Sequence, residues 1–365
     1  MFSERLRPPY DEGIKSLTVQ LAGALGSHHD VLKLTSTGTD DTQKAIRNVE
    51  SNRLLLSRGL RRVIQDFRPE AIVYVPTACG TVFAFARARA LRSHGRGAHT
   101  ALIALQPRTY TAWARWGIRN LTPDLVLAQS KRTAQALALL GCRTALLPPA
   151  VEAQRFKPSS AEERAALRAK YGLPASATVL MHAGHLKGKR NLAQMLALQG
   201  MSNYHVLIAA SSSTEQEASL LAAVRAVGAT AITEYIPTVE DVFRLSDAYL
   251  FLPDEDTAAI EMPLSVLEAM ACNLPVVSTR FGGLPDFFAE GRGLWYWDGP
   301  KTSAGAEGQS LAETVRAALA RPCETRALVE SRTWVAAADT LTALLTEDRD
   351  ASRAGRTRPT TAAQP

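Results

Sequence analysis

The chain is short of cysteine: its 365 residues hold four, Cys79, Cys142, Cys272 and Cys323. They are too scattered for a metal-ligand spacing or a disulfide framework, and they fit a reducing compartment. No run of about 18 apolar residues occurs, which excludes a membrane-crossing helix. Residues 1–13, MFSERLRPPYDEG, hold no apolar stretch of signal-peptide kind, so cytoplasmic residence is expected. Aromatic residues make up only 6%. They do not interleave with basic ones, so no nucleic-acid partner is expected. Acidic residues are the scarcer charge, 35 against 42 Lys and Arg, for a net charge of +7. That balance favours anionic partners, although Arg-rich solvated faces explain it as well.

What is present is a soluble composition, 46% hydrophobic and 21% charged, on a chain long enough for two domains. The informative stretch is residues 261–286, EMPLSVLEAMACNLPVVSTRFGGLPD. Leu264, Leu267 and Ala271 recur at helical spacing, with Met270 one face over. Pro263 suits a first helical position, and Asn273-Leu274-Pro275 stops the run, so a helix is expected over 263–272. Val276-Val277-Ser278 reads as a buried strand, and Gly282-Gly283-Leu284-Pro285 as a tight loop opening another helix at Asp286. Residues 248–253 (AYLFLP) form an earlier apolar strand. This alternation of strand and helix is that of a parallel α/β sheet. Ligands of such sheets sit at the carboxyl ends of strands, and free amides at a helix start attract anions. Those amides are expected from Leu264, Ser265 and Val266. Glu268, about one turn further in, is placed to accept hydrogen bonds from a ribose. A surface helix with an ordinary exposed Glu fits the local pattern equally.

The same stretch resembles the donor-binding signature of family-four retaining glycosyltransferases, E-G-F-G-L-P-V-L-E-A-M-A-x-G-x-P-V-V. Here it reads I-E-M-P-L-S-V-L-E-A-M-A-C-N-L-P-V-V. Glu268 falls on the second glutamate, which in the family holds the ribose. Ile260 stands at the first glutamate's position, with Glu261 one residue late, and Asn273 replaces a Gly. The resemblance implies a GT-B α/β fold, two Rossmann-like domains facing a central cleft. Residues 1–158 would form the acceptor domain and 159–300 the nucleotide-sugar domain. Residues 301–346 would be a linker and helices returning to brace the first domain, and 347–365 a disordered tail. It implies transfer of a sugar from a nucleotide-diphosphate sugar, the co-substrate, with retention of configuration. No metal or other cofactor is implied. The acceptor, whether a sugar, a lipid-linked or a small molecule, is left undefined.

Other segments carry the resemblance further. Residues 146–158 (LLPPAVEAQRFKP) are similar to the family's inter-domain crossing. Gly184-His185-Leu186-Lys187-Gly188-Lys189-Arg190 follows an apolar strand at 179–184, and its cations suit a diphosphate. The family places an Arg and a Lys here; His185 and Arg190 stand at their positions. Gly13 and Lys15 match a Gly-containing loop that faces the donor phosphates. Almost no strand precedes that loop, so the first strand is expected to be absent or to lie upstream. In this scheme Glu261 positions the donor sugar, while Lys189 and Arg190 stabilise the departing diphosphate. No histidine stands near Tyr74–Gly80, and no catalytic base is named. A nucleotide-sugar epimerase or a non-catalytic nucleotide-binding descendant would share these features. Asp254-Glu255-Asp256 formally matches a D-x-D metal motif, but an acidic surface loop is the plainer reading.

Elsewhere the pattern predicts strands over 30–34, 71–75, 100–105, 125–130, 205–209 and 231–236. It predicts helices over 52–67, 83–91, 131–140, 215–227 and 326–345, a flexible loop at 35–43, and Ser211–Thr214 as a helix cap. The arginines of the 52–67 helix fit either a solvated face over a sheet or a peripheral membrane contact at an anionic surface.

Overall fold

The computed structural model describes residues 1–77, 80–299 and 310–356, with side chains to residue 347. Contacts divide the chain into two compact units. One comprises Met1–Arg7, Thr18–Pro148 and the segment from Val335; the other comprises Pro8–Leu17 and Pro149–Trp334. The division falls at Pro148 instead of Pro158, and it groups the Gly13 loop with the second unit.

The first unit is built on parallel strands β1 (Lys33–Thr35), β2 (Ile46–Asn48), β3 (Ala71–Tyr74), β4 (His99–Ala104), β5 (Leu125–Ala128) and β6 (Thr144–Leu146). The first strand, expected to be missing, is present as a single rung. Phe2 bridges in parallel to both Leu34 of β1 and Tyr74 of β3. Its N–H donates to the Val73 carbonyl at 2.9 Å, and its carbonyl accepts from the Val75 N–H at 2.9 Å. The sheet therefore runs β2-β1-Phe2-β3-β4-β5-β6. All six residues of β4 are buried, as in a parallel sheet covered on both faces. Phe2, Tyr74, Phe85, Leu91, Leu102 and Val126 form the centre of its core.

Helices α1 (Gly13–Leu25), α2 (Arg58–Phe67), α3 (Val82–His94) and α4 (Ala112–Leu121) follow in order. The expected 52–67 helix begins only at Arg58, capped by the Ser57 hydroxyl. Upstream, the Asn52 side-chain oxygen accepts from Leu54 N–H at 3.0 Å and Leu56 N–H at 2.9 Å. Asn side chains compete in this way with helix hydrogen bonds. Helix α4 was not anticipated, because only Ala114, Gly117 and Ile118 of its ten residues are buried. It packs against α3. A Cβ on Gly117 would lie 2.8 Å from Val82 Cγ2.

The second unit holds β7 (Thr178–Gly184), β8 (Tyr204–Ala210), β9 (Thr230–Ile232), β10 (Ala248–Phe251), β11 (Val276–Ser278) and β12 (Leu294–Tyr296), all parallel. Their order is β12-β11-β10-β7-β8-β9. Strand β12 had no signal in the pattern, being three residues after two glycines. Strand order reverses between β7 and β10, which makes their carboxyl ends the switch point where α/β sheets bind ligands. The helix after β10 is Leu264–Ala271, with Pro263 as its N-cap.

The helix Trp334–Arg356 buries Ala337, Ala338 and Leu341, and from Val335 it groups with the first unit. It continues ten residues into the tail expected to be disordered from 347, since backbone helix persists to Arg356. Residues 357–365, the expected linker at 301–309, and Ala78 and Cys79 of the β3 loop lie outside the described residues.

Candidate functional site

At the β7/β10 switch point the chain leaves β7 through Gly184, at φ +149°. A side chain there would be strained by that φ, and its Cβ would sit tightly, 3.3 Å from both Arg190 Nη1 and His182 Nε2. The glycine is needed for that close approach. Arg190 is held there by a tight turn, Gly188–Arg190, whose closing bond runs from Arg190 N–H to the Lys187 carbonyl at 3.0 Å. Its side chain is only 7% exposed and lies over the Phe251 ring, 5.5 Å from the centroid. Among the described residues its guanidinium has no ion pair and no hydrogen-bond acceptor. Burial lowers its pKa.

Sequence reading missed two residues beside it, His182 and Tyr249, because both sit inside apolar strands and read as core. His182 is buried, and its Nδ1 lies 2.9 Å from the Leu250 carbonyl. Among the described residues its Nε2 has no hydrogen-bond partner. Burial, with Arg190 nearby, pushes its pKa down to about 3, so it is neutral near pH 7. Tyr249 stacks on it at 6.2 Å and 16°. The Tyr249 hydroxyl donates to Ser265 Oγ at 2.7 Å. It therefore ties β10 to the first turn of the Leu264–Ala271 helix.

That helix start is only partly free. Pro263 supplies no side-chain cap. The Val266 N–H already donates to the Pro263 carbonyl at 3.1 Å, so it is not one of the available amides. The amides of Leu264 and Ser265 make no hydrogen bond among the described residues, and they remain able to receive an anion. Glu268, one turn in, is half-buried. Desolvation raises its pKa to about 7, against the opposing pull of Arg155. Arg155 itself pairs with Glu240 at 2.8 Å.

Glu261 is fully buried. Its carbonyl accepts from the Gly283 N–H at 2.8 Å. Gly282, at φ +54°, lies against the same peptide: a Cβ there would come within 2.3 Å of the Glu261 oxygen. The loop before the helix is thus pinned by the Gly282-Gly283 turn. Ile260, the register position for the family's first glutamate, packs on Gly13, whose Cβ would lie 3.1 Å from Ile260 Cδ1.

Gly13 is therefore the first residue of α1 and a packing contact. Lys15 is buried, and its Nζ donates to the Pro9 carbonyl at 3.1 Å and Ser213 Oγ at 3.2 Å. Ser211–Ser213 do not cap the next helix, which begins at Ala218 after Glu217. They instead receive Asp11: the Ser212 N–H donates to its carboxylate at 2.7 Å, the Ser212 hydroxyl at 2.8 Å, and the Ser213 hydroxyl also donates to it. His185 lies near Arg190, Lys187 and Lys15, with Asp11 opposing them. Desolvation first, then those cations, hold its pKa down at about 4, and an added anion would raise it.

Lys189 stands apart. It is 55% exposed and pairs with Glu255 at 2.6 Å. The acidic loop at 254–256 thus includes an ordinary exposed ion pair. Among the described residues no group of three His, Cys, Asp or Glu is placed to hold a metal. A cleft of about 410 Å³ in the first unit is bordered by Leu32, Ala71 and His99. Those residues lie at the amino ends of strands, away from the ends where such sheets bind ligands.

Residues 178–346 match the family model described as Glycosyl transferases group 1. A D-inositol 3-phosphate glycosyltransferase of Saccharomonospora viridis is 34% identical over 154 residues, 38% of this chain and 34% of that protein. The curated relatives are thus matched over less than half of their length. The crystal structure of Anabaena HepE in complex with UDP-glucose superposes with a TM-score of 0.71 at 16% identity, over 95% of this chain and 98% of that one. A glycosyltransferase from Rickettsia africae superposes with a TM-score of 0.74 at 12% identity, again over 95% and 98%. The fold of this chain is the α/β GT-B fold, and along residues 178–346 its sequence resembles the group 1 glycosyltransferases.

Proposed function

We propose that the chain is a glycosyltransferase that moves a sugar from a nucleotide-diphosphate sugar to an acceptor with retention of configuration. The observation that carries this reading is Arg190: a buried cation without a counter-ion among the described residues, at the β7/β10 switch point of the second unit's sheet. An unpaired buried charge is costly, and a bound diphosphate would relieve that cost. The family resemblance and the UDP-glucose complex of HepE support the donor class.

In this reading Arg190 and the amides of Leu264 and Ser265 hold the diphosphate. As the sugar leaves, negative charge grows on that group, and a donor set fixed beforehand stabilises it without reorganisation. His185 gains a proton as the anion arrives and adds a further donor. Glu268 accepts from the ribose, and Glu261 positions the sugar. Gly13 shapes the loop beside Ile260, and Lys15 orients the Ser211–Ser213 turn. Lys189 contributes at the rim only. The transfer requires no metal. The protein acts in the cytoplasm.

The test is calorimetric binding of UDP, GDP, ADP and dTDP, with Mg²⁺ and with chelator, to wild type and Glu268→Ala. One diphosphate is expected to bind without metal. Losing a hydrogen bond to a charged group should weaken it roughly ten- to a hundredfold, or about 1.5–3 kcal/mol. The matching sugar nucleotides are then offered with candidate acceptors, and NMR of the product's anomeric proton reports retention or inversion. Silence from every nucleotide on folded protein would discard the donor site. Binding without transfer to any acceptor would favour a non-catalytic nucleotide binder.

A further inference from the structure

Helix α4 presents an aromatic and basic face that the donor reading does not use. Trp113 is 61% exposed and Trp116 is 71% exposed, one helical turn apart. Arg115 and Arg119 are exposed on the same helix, which carries no acidic residue. The inward side is spent on Ala114, Gly117 and Ile118. Gly117 brings α4 close to Val82 at the start of α3, and the next residue, Phe83, is 57% exposed. Two of the protein's five tryptophans thus stand in solvent beside a third bare aromatic. Helix α2 also packs against α3 and carries exposed Arg58, Arg61 and Arg62, with its one exposed acid, Asp66, 3.8 Å from Arg62.

Burying aromatic side chains is favourable, so leaving these three exposed is costly unless something covers them. Indoles settle at the level of lipid headgroups, where the ring is half apolar and its N–H stays wet. Arginines flanking them face the phosphates of an anionic bilayer. We propose that α4, with Phe83 and the arginines of α2, docks this unit on an anionic lipid surface as an interfacial contact that does not span it. Charge decides the occupant. A helix that presents indoles and cations and no acid, on a chain of net charge +7, matches a uniformly negative plane. No helix among the described residues is long and apolar enough to cross the membrane.

The inference does not depend on the donor site, and its test keeps the two apart. The full chain is sedimented with phosphatidylglycerol vesicles and with phosphatidylcholine vesicles at about 0.1 M salt, a Debye length near 10 Å. Wild type is expected to follow the anionic vesicles only, and to be released as salt is raised. Trp113→Ser/Trp116→Ser and, separately, Arg115→Glu/Arg119→Glu should each weaken partition about tenfold or more. Both variants should keep the wild-type melting temperature and nucleotide affinity. Brominated lipid should quench the fluorescence of wild type and not that of the tryptophan variant. No sedimentation with anionic vesicles would overturn the proposal, as would sedimentation undiminished in both variants. So would a homodimer by light scattering that the tryptophan variant dissociates without any vesicle binding, which would make a second copy the occupant.

Discussion

Each of the two sheets reverses its strand order once, and a buried charge sits at each reversal. In the first unit it is Glu4, just after the Phe2 rung. Its carboxylate accepts from the Tyr74 hydroxyl, from the Thr77 N–H at 2.9 Å and from Arg87 Nη1 at 2.7 Å. In the second unit it is Arg190, which has an aromatic ring beneath it and no acceptor among the described residues. The two positions are topologically alike and electrostatically opposite. A buried charge with every hydrogen-bonding site filled is part of the framework; one with none filled stores an attraction for something not yet bound.

Substitutions can break that contrast. Glu4→Gln should have the largest effect, because it leaves the partly buried Arg87 without its counter-charge. About 3–5 kcal/mol of folding stability should be lost in urea titrations, with nucleotide affinity per folded molecule unchanged. Arg190→Met should do the reverse. Affinity for the preferred diphosphate should fall by about 2–4 kcal/mol, while the melting temperature holds or rises, since an unpaired buried charge has been removed. Equal losses of stability in both variants would erase the distinction.

Glu268 sharpens it through pH. Its folded pKa is raised to about 7 by desolvation, so at pH 6 only about a tenth of the molecules carry the carboxylate that ribose hydroxyls prefer. Nucleotide affinity should therefore rise about tenfold from pH 6 to pH 8, and Glu268→Gln should flatten the rise. The same shift makes this residue's contribution to stability fall as pH rises from the unfolded carboxylate value through about 7. Titration calorimetry at several pH values reads the first effect, and urea midpoints the second. Lys189→Ala should matter least. Its pair with Glu255 is exposed on both sides, so binding and stability should move by about 0.5 kcal/mol or less.

The second unit was the more legible from its residues, for a physical reason. The Leu264–Ala271 helix is local: apolar periodicity, an entering Pro and a closing Asn-Leu-Pro all lie within a dozen residues or so. Strands β7 and β10 are continuous apolar runs, and these too are local signals. What escaped depends on distance in the chain. Asp11 reaches Ser212 across 201 positions, so polar serines that resemble a helix cap are filled by a carboxylate from the other end of the sequence. Phe2 is a strand only because β1 and β3 flank it. His182 and Tyr249 read as core because burial and chemistry are not exclusive. Helix α4 fell below notice because only Ala114, Gly117 and Ile118 are buried while both its tryptophans are outside, which is the property that makes it of interest.

The division of the chain has one more consequence, for the order in which the protein is made. Neither unit is a continuous stretch. Residues 8–17 of the second unit leave the ribosome early, yet their partners at Ser211–Ser213 follow some two hundred residues later. The first unit's sheet can assemble early, since Phe2 through β6 are complete by Leu146. It then waits for the helix that starts at Trp334. The two units therefore finish in the reverse of the order in which they begin, and neither can be excised from the gene as a single uninterrupted fragment.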